Sequence, residues 1–158
     1  MRVITIDFET YYSREYSLSK MTTEAYVRDP RFEVIGVGVK VDDNPPDWYS
    51  GEDVGRFLNS LDYSEDAILA HNTVFDGAIL SWLYGIKPRF WFDTLSMARP
   101  FHHSTVGGSL KALANFYNLG QKGDEVIQGL GKKRNDFSPQ ELDKYADYCL
   151  QDVNLTYK

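Results

Sequence analysis

One cysteine, Cys149, occurs among the 158 residues, so no internal disulfide can form and a reducing, cytosolic setting is expected. No apolar run approaches the roughly 20 residues of a membrane span, and no signal-peptide pattern opens the sequence, so no membrane partner is expected. Basic charge is not in excess: 17 Lys and Arg against 23 Asp and Glu leave a net charge of −6. That balance argues against tight, nonspecific binding to duplex nucleic acid. Repeats, low-complexity tracts and linker-like stretches are also missing, so residues 1–158 are expected to form one domain. A chain of this length buries about two-thirds of its unfolded surface, and 42% hydrophobic with 15% aromatic residues describes an ordinary globular composition.

The periodicities that are present sort into strands and helices. Residues 2–8 read as a buried strand. Ile35, Val37, Val39 and Val41 alternate with Gly36, Gly38 and Lys40 as a second. Asp42 to Pro46 is a turn, and Asp47 to Tyr49 can return as a third. Val54, Phe57, Leu58 and Leu61 have helical spacing. Ala67 to Ala70 is a fourth strand, leading into a helix from about Val74 to Tyr84 with Ile79, Leu80 and Leu83 inward and Gly85 as its stop. Arg89 to Phe92 is a fifth strand, Asp93 caps the next helix, and Ser109 caps one bearing Leu110, Leu113, Ala114 and Tyr117. Ser138-Pro139-Gln140-Glu141 combines Ser at N-cap, Pro at N1 and Glu at N3, a capping-box start for a last helix. Three early strands, then strands alternating with helices, then helices describe a mixed sheet covered by helices.

Chemistry concentrates in the acids. Asp7 and Glu9 lie one residue apart on the first strand, so they share a face while Ile6 and Phe8 point the other way. Two close carboxylates are costly unless a cation sits between them, and hard Mg²⁺ or Mn²⁺ suits carboxylate oxygens. Asp76 stands near the start of the helix after the fourth strand, where a first-turn acid offsetting the helix dipole is the plain alternative. Tyr148 and Asp152 are four residues apart on the last helix and so share a face; a buried tyrosine beside a surface acid is the plain reading there. Lys132-Lys133-Arg134 is either a solvated charge run or a phosphate contact. Met97, Trp82 and the scattered tyrosines read as packing.

Taken together, Asp-x-Glu on strand one, Asn72-x-x-Phe75-Asp76 at a helix start and Tyr148-x-x-x-Asp152 on the last helix resemble the three motifs of the DnaQ-like 3′–5′ exonucleases, in the branch with tyrosine in its third motif (DEDDy). Tyr26 to Ile35, Asp93-Thr94-Leu95 and Tyr148 to Val153 look like the proofreading region of phage-type family A DNA polymerases. The histidine branch uses His-x-x-x-x-Asp, which His71 and Asp76 meet formally, but His71 precedes the helix and reads as a strand-end residue supporting the site through hydrogen bonds.

The resemblance implies an RNase H-like fold, a mixed five-stranded sheet flanked by helices. It also implies two divalent cations, Mg²⁺ or Mn²⁺, about 3.5–4 Å apart. Asp7 would bridge both, Glu9 and Asp152 would complete the first, and Asp76 would hold the second directly or through water. Tyr148 would orient the attacking water, since a phenol with a pKa of about 10 is a poor base at neutral pH. Thr10, Asn72 and Phe75 would receive the terminal nucleotide. The implied activity is removal of nucleotides from the 3′ end of single-stranded DNA, as in polymerase proofreading, within a bacterial or phage-infected cytoplasm. A ribonuclease D-like RNA-trimming enzyme uses the same acids, and a catalytically silent nucleic-acid-binding module is the rival from another class. The helical pattern still runs at Lys158, six residues past Asp152, so a C-terminal polymerase region is expected beyond it, with the domain itself a monomer.

Overall fold

The computed structural model describes residues 1–120 and 129–158. Its centre is β1 (Val3–Thr10), in a five-stranded sheet of order β3-β2-β1-β4-β5. β2 (Val34–Val41) runs antiparallel to β1 and to β3 (Asp47–Ser50), whereas β4 (Ala67–Ala70) and β5 (Phe90–Asp93) continue in parallel on the other side. This is the mixed five-stranded sheet with flanking helices that the sequence and its resemblance lead one to expect. The tight β1–β2 end is held by Asp42, whose carboxylate accepts from Val3 N at 2.7 Å. At the start of β4, the buried Asp66 carboxylate accepts from the Arg2 backbone N–H and from its Nε, each at 2.9 Å.

Alternation gives the sheet two different faces. Ile4, Ile6 and Phe8 of β1 join Val37, Val39 and Ile68 in one core. That core is closed by α1 (Thr23–Val27), α2 (Glu52–Leu58) and α3 (Thr73–Leu83), which supply Tyr26, Val54, Leu58, Ile79 and Leu80. At about 1.5–3 kcal/mol for each fully buried large side chain, the three from β1 supply roughly 5–9 kcal/mol. That is enough for one strand to carry acids on its other side. α1 was not foreseen, and Leu83, expected inward, is 45% exposed at the end of its helix.

The other face is covered by α6 (Pro139–Tyr157). Here the β2 side chains are Gly36, Gly38 and Lys40, and the two glycines make room. A Cβ on Gly38 would lie 2.8 Å from Cys149 Sγ and 2.9 Å from Val153 Cγ2, and one on Gly36 would lie 2.2 Å from the Trp48 ring. Lys40 is buried farther along, with Nζ donating to Asn44 O at 2.6 Å and lying 5.0 Å from the Tyr157 ring centre. α4 (Thr94–His102) and α5 (Leu110–Tyr117) are the remaining α-helices among the described residues, with α5 packed on α6.

Candidate active site

The last helix starts where its capping box dictates. Ser138 Oγ accepts from Glu141 N at 3.3 Å, and Glu141 Oε2 accepts from Ser138 N at 2.8 Å. The basic run before it is committed to protein partners that hold this entry point. Lys132 Nζ meets Glu141 Oε1 at 2.6 Å, Arg134 N donates to Glu33 at 2.8 Å, and Arg134 Nε donates to Ser50 Oγ at 2.8 Å.

From that anchor, α6 carries Tyr145, Cys149 and Asp152 on its buried side, over the face of β1 that presents Asp7 and Glu9. Cys149 Sγ lies 3.3 Å from the Asp7 carbonyl oxygen and 3.6 Å from Asp7 Oδ2. The Tyr145 hydroxyl faces the Glu9 carboxylate. Burial, then the charges of Asp7 and Glu9, push the Cys149 thiol well above its ordinary pKa, so it sits here as a neutral group. Asp152 is buried one turn after Tyr148, which is half-buried on the same helix.

Asp76 reaches the same end of the sheet from α3. The turn into that helix is made by Asn72 with φ +79°, a left-handed conformation that asparagine tolerates better than most residues. Asp93 secures the turn: its Oδ1 accepts from Asn72 N at 2.9 Å and from Leu95 N at 3.1 Å, and its Oδ2 accepts from Ser96 Oγ at 2.6 Å. Asp93 thereby caps α4 as expected, and His71 Nδ1 bonds Thr94 Oγ1 at 2.8 Å at the same junction. So held, Asp76 is 2% exposed and accepts from Phe8 N at 3.0 Å. Burial first, then the charge of Asp7, push its carboxyl well above the usual range. A first-turn acid serving only the helix dipole would face water instead.

Asp7 is therefore the hub, close to Asp76 on one side and to Cys149 on the other. Ligand atoms of Asp7, Glu9 and Cys149 all lie within 4.8 Å of one another. Two half-buried carboxylates, with a third whose charge is disfavoured by burial and by Asp7, form a donor set with more negative potential than it can carry alone. Hard oxygen donors in that state fit a divalent cation such as Mg²⁺ or Mn²⁺.

Beside Glu9 opens a cavity of about 570 Å³, lined among others by Thr10, Tyr12, Arg14, Phe75 and Leu130. The Thr10 hydroxyl is paired with Tyr26 Oη at 2.9 Å, so Thr10 offers the cavity its backbone. Asn72 is exposed at the head of α3, outside this lining. Sequence reasoning assigned no role to Tyr145, and placed Cys149 only as the lone thiol and within the Tyr148 to Val153 resemblance. Their signal was the spacing of 145, 149 and 152 along one helical face.

No family model matches the sequence, and no curated protein is similar enough to match it. Solved structures are similar over nearly the whole chain. The family B DNA polymerase of the hyperthermophilic archaeon Pyrobaculum calidifontis aligns over 99% of this chain and 23% of its own, with TM-score 0.69 and 21% identity. Brucella melitensis NrnC bound to pGG aligns over 98% of this chain and 68% of its own, with TM-score 0.68 and 17% identity. Trypanosoma brucei RNase D in complex with RNA U12 aligns over 98% and 52%, with TM-score 0.64 and 14% identity. This chain thus spans about a quarter of the polymerase and about half of the RNase D. At these identities the likeness speaks to architecture alone, and the shared architecture is the RNase H-like mixed five-stranded sheet with flanking helices.

Proposed function

We propose that residues 1–158 are a metal-dependent 3′–5′ exonuclease unit of the DEDDy type, acting on single-stranded DNA ends as the proofreading part of a longer polymerase. The observation that carries this reading is the meeting of Asp7, Glu9 and Asp76, with the helix bearing Asp152, at one end of the sheet beside a cavity. The volume of that cavity falls within the ~300–1,000 Å³ typical of small-ligand sites. Asp7, Glu9, Asp76 and Asp152 are the residues that would hold two divalent cations. When bound, such ions polarise a phosphodiester and lower the pKa of an attacking water. Tyr148 orients that water, and Phe75, the Thr10 backbone and Asn72 receive the terminal nucleotide. The chain works as a monomer in the cytoplasm. Among the described residues no helix is long and apolar enough to cross a membrane.

The polymerase context rests on the motif resemblance and on the fold shared with a polymerase. An RNA-trimming activity is the second reading, favoured by the likeness to an RNase D solved with RNA and with GMP. Initial rates on matched DNA and RNA oligonucleotides separate the two. A single DNA strand should be degraded fastest and a matched duplex slowest, because freeing a terminal pair costs about 1–2 kcal/mol per step. Asp7→Ala should abolish degradation in Mg²⁺ or Mn²⁺ while leaving the fold intact. Activity of that variant within tenfold of the parent, or products released from the 5′ end, would reject the reading.

A further inference from the structure

Two buried side chains of α6 that the proposed chemistry leaves unused lie over the first-strand acids. A helix returns to one face every four residues with a rise of about 6 Å, and a strand every two residues with a rise of about 6.6–6.8 Å. The near match lets one helical face address successive residues of one strand face. Cys149 meets Asp7, with Sγ 3.6 Å from Oδ2, and one turn earlier Tyr145 meets Glu9.

The Tyr145 position is tightly built. Its side chain is 4% exposed and its ring lies 5.2 Å from that of Phe137, centre to centre. Gly129 closes over the hydroxyl, since a Cβ there would come within 3.2 Å of Tyr145 Oη. A buried hydroxyl needs a hydrogen-bond partner, and the acceptor it faces, one turn from the Cys149–Asp7 contact, is the Glu9 carboxylate.

We propose that Tyr145 is a positioning residue: by donating to one oxygen of Glu9 it fixes the rotamer that turns the other oxygen toward the cation. This rests on the exonuclease reading. Cys149 does the same more weakly for Asp7, through a poorer donor.

Tyr145→Phe keeps the ring and its contact with Phe137 and deletes only the hydroxyl. The probe is Mn²⁺ alone, titrated calorimetrically into the whole chain without substrate. Groups that hydrogen-bond a metal's ligands are typically worth ~10–100-fold in metal affinity, so Mn²⁺ binding should weaken about tenfold. The Mn²⁺ concentration for half-maximal nuclease rate should rise equally. KM for the oligonucleotide at saturating Mn²⁺ and the melting midpoint in EDTA should stay at parental values. In a Glu9→Gln background, Tyr145→Phe should have little further effect on Mn²⁺ affinity, because its route runs through Glu9. Unchanged Mn²⁺ affinity, the same loss in both backgrounds, or a weakening that tracks a lowered midpoint would overturn this inference and leave the exonuclease reading standing. A parent chain that binds no Mn²⁺ would overturn both.

Discussion

Gly38→Ala tests whether the seat of α6 sets the geometry of the site. The new Cβ would lie 2.8 Å from Cys149 Sγ and 2.9 Å from Val153 Cγ2, whereas uncompressed carbon contacts fall at about 3.5–4.0 Å. The helix must therefore lift or slide by roughly 1 Å. Overpacking of this kind costs about 1–3 kcal/mol. At about 2–4 °C per kcal/mol in a domain of this length, the melting midpoint should fall by about 2–12 °C. The domain would remain folded at 25 °C, yet the same displacement moves Tyr148 and Asp152 relative to Asp7 and Glu9. A misplacement of about 1 Å in a catalytic constellation costs on the order of 10² in rate. Metal-dependent nuclease rate should thus drop about a hundredfold under conditions where circular dichroism shows full folding. Gly36→Ala is the contrast: its Cβ meets Trp48 and not α6, so it should destabilise without a separate loss of rate. Trimming Cys149 and Val153 to Ala in the Gly38→Ala chain should restore part of the rate. A Gly38→Ala protein with parental midpoint and rate would refute the close-approach argument.

Three further outcomes are expected. Asp76 has a raised carboxyl pKa in the fold, so without metal its contribution to stability is greatest at low pH and is lost as pH rises above the ordinary value of 3.8. Asp76→Asn, which can still accept from Phe8 N, should therefore raise the melting midpoint in EDTA at neutral pH and shrink the gain on adding Mg²⁺; a lowered midpoint in EDTA would contradict this. Tyr148→Phe should bind Mn²⁺ as the parent does and hydrolyse about 10²-fold more slowly, with loss of metal affinity or a full rate counting against the role given to its hydroxyl. Glu141 is held at about 2, below its ordinary 4.5, chiefly by the hydrogen bond from Lys132. Its stabilisation is present above pH 4.5 and is lost as pH falls toward 2, so the parent's midpoint should drop more steeply across that window than that of Glu141→Gln, and parallel curves would refute it.

Much of this architecture was legible in the residues themselves. Period-two alternation put Asp7 and Glu9 on one face of β1 and Ile4, Ile6 and Phe8 on the other. Local capping chemistry at Asp93, Ser109 and Ser138 placed three helix starts where the structure has them. These signals survive in sequence because each depends on partners only a few residues away. α1 escaped because five residues, Thr23–Val27, are too short to show a helical period, and its Tyr26 and Val27 are buried by distant neighbours. Tertiary structure alone decided that the face bearing the acids is roofed by α6, that Gly36 and Gly38 are the gap which admits Trp48 and that helix, and that Tyr145 and Cys149 stand over Glu9 and Asp7. It also decided that Asp76 is buried against Phe8 N and not turned to solvent. Periodicity specifies which side chains share a face; what that face meets depends on the packing of elements distant in sequence, 68 residues for Phe8 and Asp76 and 142 for Asp7 and Cys149, and burial and pKa follow from that meeting.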